Sequence, residues 1–335
     1  MSKISILGAG TWGSALANVL SKNHQITLYS ALYVDFVYLK ETRIIKNMNW
    51  IKIDDSIYVT NDIKEACEGS DYIIFASPSI YIRETIKNAQ KYITNNQILI
   101  NVAKGIDNET LETMGEIITS YCPNNPFVVL SGPTHAEEVI INHPTTIVAA
   151  SKDEKVAHEV GELFQNTCIR AYTNDDVKGV ELCGSLKNVI ALAVGIVEGL
   201  GYGDNIKAAL ITRGMAEIRR IGLAYGCNEK TFYGLAGIGD LIVTATSNHS
   251  RNNRCGRLIG EGVPPMEATK QIGMVVEGIN SLNAAVKLVE QYKTRATIIL
   301  TLDQIINKGR NPKEVIDELL YKPVISELID NKEEF

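Results

Sequence analysis

The chain has 335 residues, 45% hydrophobic and 21% charged, with a formal net charge of -6; this suggests two globular domains whose cores need no staple. The acidic balance and the lack of a dense basic run argue against a nucleic-acid partner, although local cations can still hold a small anion. Six cysteines and five histidines are dispersed, with no C-x-x-C pair and no Cys/His cluster, so a reduced, cytoplasmic protein without a metal site is expected.

Met1 to Gly8 is short and apolar and lacks the basic region and long apolar core of a signal peptide. Ile4 to Leu7 reads as a strand. Trp12 to about Lys22 has helical spacing, with Leu16, Val19 and Leu20 on one face. Ile26 to Tyr29 is a second strand, and the stretch to about Asn49 reads as partly helical. Ile57 to Thr60 is a third strand, and Asp62 is placed to N-cap a helix over Ile63 to Glu68. Tyr72 to Ala76 is a continuous apolar run, as in a strand buried on both faces. Further strands are predicted at Ile98 to Val102, Phe127 to Leu130, Thr146 to Ala149 and Ile169 to Tyr172, with helical patterns between them.

After about Asp175 the clear strands stop and long helical patterns follow, punctuated by glycines, Pro264-Pro265 and Pro312. The longest apolar stretch, near Val189 to Leu200, is too short to span a bilayer and contains Glu198, so no integral membrane segment is expected. The charged end, Asp330 to Phe335, is expected to fray.

Gly8-Ala9-Gly10-Thr11-Trp12-Gly13 fits G-x-G-x-x-G directly after a strand and before a helix. The first glycine permits the tight turn, the second lets a pyrophosphate approach the backbone, and the third allows helix to pack on strand. The helix N-terminus offers N–H groups and a positive dipole end to phosphates. The alternation and this motif predict an α/β N-terminal Rossmann-type dinucleotide-binding domain over residues 1–175. An all-α C-terminal domain, helical and substrate-handling, follows over 176–335. An acidic residue after the second strand would select NAD and an arginine NADP. Tyr29-Ser30-Ala31 carries neither, so the cofactor is NAD or NADP.

Lys187 is the one internal cation between Gly179 and Gly201. Its helical neighbours are Cys183, Gly184, Ile190 and Ala191, with Val180 and Val194 a further turn away. Burial there suits a general base, because desolvation favours the neutral amine. The alternative is a lysine whose stem packs while its head reaches solvent. Downstream, Gly237 to Leu241 and Thr244 precede Asn248-His249-Ser250-Arg251-Asn252. That cluster reads either as a phosphate grip, with a bidentate arginine, or as a capped helix start with Arg251 solvated.

The chain resembles the bacterial type of NAD(P)-dependent glycerol-3-phosphate dehydrogenase over nearly its whole length. The resemblance is carried by the glycine motif, Val102-Ala103-Lys104-Gly105-Ile106, Ser131 to Val139, Leu186-Lys187-Asn188-Val189, Gly203-Asp204-Asn205 and Ala208 to Gly214. It continues through Leu235 to Leu241, Ser250-Arg251-Asn252 and Val275-Val276-Glu277-Gly278. Each block is weak alone, and their joint occurrence in order is specific.

The resemblance implies that Thr11 and Trp12, with Gly8, Gly10, Gly13 and Ala31, lie along the dinucleotide. Lys104 is implied to reach cofactor and substrate, Gly132 and Thr134 to border the substrate, and Ala136 to border the cofactor. Lys187 would be the proton acceptor with Asp240 nearby, making Lys187, Lys104 and Asp240 the catalytic group. Ser250, Arg251 and Asn252 would hold the substrate, and Arg251, Val275 and Glu277 would contact the cofactor. The family reaction interconverts sn-glycerol 3-phosphate, a small phosphorylated substrate, and dihydroxyacetone phosphate, and feeds glycerophospholipid synthesis; a homodimer is expected. Two positions depart from the pattern. Ala31 replaces a basic residue common after the second strand, which puts NADP preference in doubt. His135 replaces a common phenylalanine and reads as a packing variant. The rivals are an enzyme of the same fold acting on another 2-oxo or 3-hydroxy acid, and a non-catalytic dinucleotide sensor.

Overall fold

The structure is a computed structural model that describes residues 1–320, so the end expected to fray, Asp330 to Phe335, lies outside the described residues. The chain divides into two units. The first comprises Met1–Lys104 and Glu112–Glu181; the second comprises Gly105–Leu111 and the chain from Leu182 onward.

The first unit runs β1 (Lys3–Leu7), α1 (Thr11–Leu20), β2 (Gln25–Tyr29), α2 (Tyr33–Thr42), β3 (Ile44–Ile45), β4 (Met48–Lys52), β5 (Tyr58–Thr60), α3 (Ile63–Cys67) and β6 (Tyr72–Phe75). It continues with α4 (Ile82–Ala89), β7 (Ile98–Asn101), α5 (Met114–Tyr121), β8 (Phe127–Ser131), α6 (Ala136–Val139), β9 (Thr145–Ala150), α7 (Glu154–Glu162) and β10 (Ile169–Asn174). Eight strands form one sheet in the order β10-β9-β8-β7-β6-β1-β2-β5. Every neighbouring pair is parallel except β8 with β9. Alternation along the central strands divides the apolar side chains between two cores. Ile4, Ile6, Ile74 and Ile100 join Leu16 and Leu20 of α1 on one face. Leu7, Ile73, Phe75 and Leu99 join Ile82, Ile86, Ile117 and Ile118 of α4 and α5 on the other. That is why β6 and β7 are buried at every residue. Asp62 caps α3, its side chain accepting from Lys64 N at 2.8 Å.

The stretch to Asn49 is partly helical, as its sequence suggests. α2 ends at Thr42, Arg43 turns left-handed at φ 61°, and β3 and β4 form an antiparallel hairpin. The cause is non-local: the Arg43 guanidinium donates to the carbonyls of Asp54 and Ile57, which fixes the turn from outside the local sequence.

α8 (Val177–Gly199) starts in the first unit and continues into the second. It is longer than the apolar stretch around Val189 suggests: over its 23 residues it is long and apolar enough to cross a membrane, yet the apolar window is entirely buried within the protein. The second unit continues with α9 (Asp204–Ala224), α10 (Glu229–Phe232), α11 (Asp240–Thr246), α12 (Arg251–Gly260), α13 (Pro265–Ile272), α14 (Glu277–Tyr292), α15 (Thr297–Ile306) and α16 (Pro312–Leu320). Leu186, Val189, Ile190 and Val194 of α8 are fully buried in its core. α8 and α12 meet backbone to backbone. A Cβ at Gly195 would strike Asn253 O, one at Gly199 Arg257 O, one at Gly256 Leu192 O, and one at Gly260 Ile196 O. Two G-x-x-x-G stripes thus face each other with no side-chain layer between them, the closest approach two helices can make.

Candidate functional site

In the first unit the glycine turn is built from three different constraints. Gly8 has φ 135°, and a Cβ there would lie 2.6 Å from the Ala76 carbonyl carbon and from Ser77 N at the end of β6. A Cβ at Gly13 would collide with Gly8 O, so α1 presses directly on the turn. At Gly10 a Cβ would meet nothing within 4 Å. Gly10 is also the N-cap of α1, which has no side-chain cap and no acidic residue in its first turn. An open space before an uncapped, positive helix end fits a dinucleotide pyrophosphate. Thr11 and Trp12 are half-buried on the first turn, with Trp12 packed on the core.

Ala31 is exposed beyond the end of β2, where Leu32, Tyr33 and Val34 are exposed as well. Neither nearby cation is turned to this point: Arg43 is held by Asp54 and Ile57, and Lys40 Nζ lies 5.1 Å from the centre of the Phe36 ring. Lys104 Nζ donates to Gly132 O at 3.2 Å, and the Thr134 hydroxyl donates to the same oxygen at 3.1 Å. These three residues are therefore gathered around one carbonyl. Next to it the buried Ser131 hydroxyl has no hydrogen-bond partner among the described residues. Ala136 is buried at the start of α6, and His135 occupies its N-cap position without a side-chain cap bond.

In the second unit Lys187 does not snorkel. It is 5% exposed, and its Nζ donates to Asp240 Oδ1 at 2.5 Å and to Thr244 Oγ1 at 2.6 Å. Asp240 opens α11, directly after a wide turn over Leu235–Gly239 in which Gly237 leaves helical geometry. Thr244 lies one helical turn on, so both oxygens share a face. The carboxylate is 1% exposed and the hydroxyl residue 4%. A cation so placed is oriented by two acceptors, which suits proton transfer at a fixed point.

Ser250 caps α12, its hydroxyl accepting from Asn253 N at 3.2 Å. Asn252 is buried in a bridge: its Nδ2 donates to Asn188 Oδ1 at 2.9 Å and its Oδ1 accepts from Gly278 N at 2.8 Å. Arg251 is half-buried, and its Nη1 donates to Val275 O at 3.1 Å. Glu277 begins α14 two residues after Val275. The structure thus brings Arg251 and Val275 together, and commits the side chains of Ser250 and Asn252 to local bonds. Sequence reasoning assigned no role to Thr244 or Asn188. The signals were present: Thr244 stands at i+4 from Asp240, and Asn188 adjoins Lys187. Among the described residues no group of three His, Cys, Asp or Glu is arranged to hold a metal.

Residues 3–157 match the family model for the NAD-dependent glycerol-3-phosphate dehydrogenase N-terminus, and residues 176–317 match that for the C-terminus. A Lactobacillus delbrueckii subsp. bulgaricus protein named glycerol-3-phosphate dehydrogenase (NAD(P)+) 2 is 50% identical over 335 residues, covering 98% of this chain and 99% of the relative. A Bacillus subtilis protein named glycerol-3-phosphate dehydrogenase (NAD(P)+) is 44% identical over 336 residues, covering 98% and 97%. The crystal structure of glycerol-3-phosphate dehydrogenase (GpsA) from Coxiella burnetii superposes with a TM-score of 0.92 at 33% identity, covering 96% of this chain and 99% of that one.

Proposed function

The chain belongs to the NAD-dependent glycerol-3-phosphate dehydrogenase family, and on that premise we propose how its residues divide the work of interconverting sn-glycerol 3-phosphate and dihydroxyacetone phosphate with NAD(H) or NADP(H). The observation that carries the reading is Lys187, buried with Asp240 and Thr244 as its acceptors. In the oxidising direction Lys187 takes the proton of the C2 hydroxyl; in the reducing direction it returns a proton to the C2 oxygen. Asp240 and Thr244 hold the amine so that its proton moves along one line. A nicotinamide cofactor bound there would supply the hydride acceptor or donor for C2.

Gly8, Gly10, Thr11, Trp12 and Gly13 take the pyrophosphate at the α1 N-terminus, and Ala31, Ala136, Val275 and Glu277 border the rest of the dinucleotide. Lys104 serves both cofactor and substrate. Gly132, Thr134, Ser250 and Asn252 shape the substrate's surroundings, and Arg251 takes its phosphate, since a guanidinium matches phosphate oxygens two at a time. The half-buried state of Arg251 supports this, as does the use of the Ser250 and Asn252 side chains elsewhere. The wider reading is a cytoplasmic homodimer that supplies glycerol 3-phosphate for glycerophospholipid synthesis. Six unbridged cysteines support a reducing compartment.

The test is an absorbance assay of dihydroxyacetone phosphate reduction with NADH and NADPH, run on the wild type and on Lys187→Ala. Turnover in the wild type and its loss in the variant are expected. A wild type that binds dinucleotide but reduces no phosphorylated ketone would overturn the reading in favour of a sensor.

A further inference from the structure

We propose that Glu181 is a positioning residue for Lys104 and Lys187: its carboxylate holds, in one buried clasp, the three stretches of backbone where the chain passes between units. The proposal rests on the roles assigned to those lysines above. The chain crosses at Lys104/Gly105, at Leu111/Glu112 and at Glu181/Leu182. A member of the clasp stands beside each crossing, and the clasp itself lies within the first unit.

Glu181 Oε1 accepts from Asn101 Nδ2 at 2.8 Å and from the backbone N–H of Gly115 at 2.7 Å. The Thr113 side chain bonds to the same carboxyl. Asn101 grips Ala103 in both directions: its Nδ2 donates to Ala103 O at 3.1 Å, and its Oδ1 accepts from Ala103 N at 2.9 Å. Lys104 is the next residue. Thr113 also N-caps α5 in a capping box with Glu116, so the returning chain is fixed at its first helical turn. On its own helix Glu181 stands under two turns before Lys187. The carboxylate therefore joins the stretch that leads into Lys104 to the first turns of the helix that goes on to carry Lys187. Gly115 is part of the design, because a Cβ there would lie 2.7 Å from Glu181 Oε2.

The Asn101 amide, the Gly115 N–H and the Thr113 hydroxyl can all donate to the acid, so the clasp is best satisfied around an ionised carboxylate. Burial opposes ionisation and pushes Glu181 up to about 7; the bonds from Thr113, Gly115 and Asn101 pull the other way, and Glu116 adds to the rise. The charged groups around it are Glu116 of α5, ion-paired at 2.6 Å with Lys178 of α8, and Lys152 and Asp153 ahead of α7. With Phe127 they border a cavity of about 510 Å³ that Glu181 also lines. The clasp should therefore loosen as pH falls through about 7. In the reducing direction Lys187 donates a proton to the C2 oxygen, so protonation of this amine does not account for a loss of activity at low pH. An acid-side limb belongs to another group.

The experiment measures kcat for dihydroxyacetone phosphate reduction against pH, and NADH affinity by calorimetry, in the wild type, Glu181→Ala, Asn101→Ala and Glu181→Gln. Both alanine variants should lose kcat about 10- to 100-fold, the scale of a small misplacement of catalytic groups, with NADH affinity kept. Glu181→Gln, whose amide oxygen still accepts from Asn101 and Gly115, should recover most of kcat near pH 8 and lack the acid limb near 7. A folded Glu181→Ala with wild-type kcat overturns the clasp. So does an unchanged limb in Glu181→Gln, or an equal loss of NADH affinity, which marks general damage to the unit. If Glu181→Ala does not fold, Asn101→Ala and Glu181→Gln decide. Full turnover in Lys187→Ala would sink the lysine assignment itself; lost turnover there with unaffected Glu181 and Asn101 variants sinks the clasp alone.

Discussion

Lys187 and Asp240 form an ion pair at 2.5 Å, with 6% and 1% of their side-chain surfaces exposed. Removing one partner of such a pair leaves a buried charge alone, at a cost of about 3–5 kcal/mol. Lys187→Ala should therefore lose about 10²–10⁴-fold in turnover and also melt at a lower temperature. The double variant Lys187→Met/Asp240→Leu separates the two effects. Calorimetric melts should show stability largely restored, while the absorbance assay shows turnover still absent. Recovery of turnover in the double variant would take both residues out of the chemistry.

The glycine turn predicts a split between folding and binding. Gly10→Val has room for its side chain where the pyrophosphate would lie, so it should fold and lose NADH and NADPH binding by calorimetry. Gly13→Ala places its methyl on the Gly8 carbonyl oxygen and should lose stability instead. A folded Gly10→Val with normal affinity would reduce the motif to a structural turn.

Arg251 carries a prediction about the substrate phosphate. Its loss should cost roughly 2–5 kcal/mol with the phosphorylated substrate, a drop in kcat/KM of about 30- to several-thousand-fold. Unphosphorylated dihydroxyacetone should lose far less. The bond to Val275 O gives a second route, through the segment proposed to border the cofactor, and that route would depress both substrates alike. Equal losses would move Arg251 to the cofactor side.

NADH and NADPH should differ by less than ~100-fold in kcat/KM, about 2.7 kcal/mol. Ala31 offers neither a carboxylate nor a cation, and Arg43 is engaged by the carbonyls of Asp54 and Ile57. A larger preference would require a discriminating residue elsewhere on the dinucleotide path. Parallel assays at matched ionic strength measure it.

Glu217 of α9 is 4% exposed and accepts from Ile298 N at 2.7 Å and Ile299 N at 3.2 Å, capping α15 from a neighbouring helix. Burial pushes its carboxyl up to about 7, against those bonds and the pull of Arg220 and Arg213. A folded pKa above the unfolded one gives a contribution fully present below about 4.5 and lost as pH rises through about 7. The rise is worth about 3 kcal/mol at most. The melting temperature of Glu217→Gln should consequently fall less between about pH 5 and 8 than that of the wild type. Parallel curves would remove Glu217 as the source.

What could be read from the sequence was what is decided locally. The glycine turn, the strand–helix alternation and the Asp62 cap each follow from residues within one or two turns of each other. The β3–β4 hairpin did not show, because strands this short have no periodicity and the Arg43 turn is held from Asp54 and Ile57. Helical spacing placed Lys187 on an apolar face but could not name Asp240, which is brought to it by the packing of α11. Glu181 offered the same kind of signal on the same helix, an acid among apolar residues. Its meaning depends on Asn101 and Gly115, which only the fold brings near.

The facing glycine stripes of α8 and α12 have a consequence for how the second unit can drift over evolutionary time. Most helix pairs are separated by interlocking side chains, and a lost methylene on one can be offset by a gained one opposite. Between Gly195, Gly199, Gly256 and Gly260 nothing is available to exchange. The spacing of the helices that carry Lys187 and Arg251 is set by the thickness of two peptide backbones, a dimension no substitution elsewhere in the core can reset. Neighbouring side chains are free to diverge around this ruler, and a single methyl on any of the four glycines would change its length.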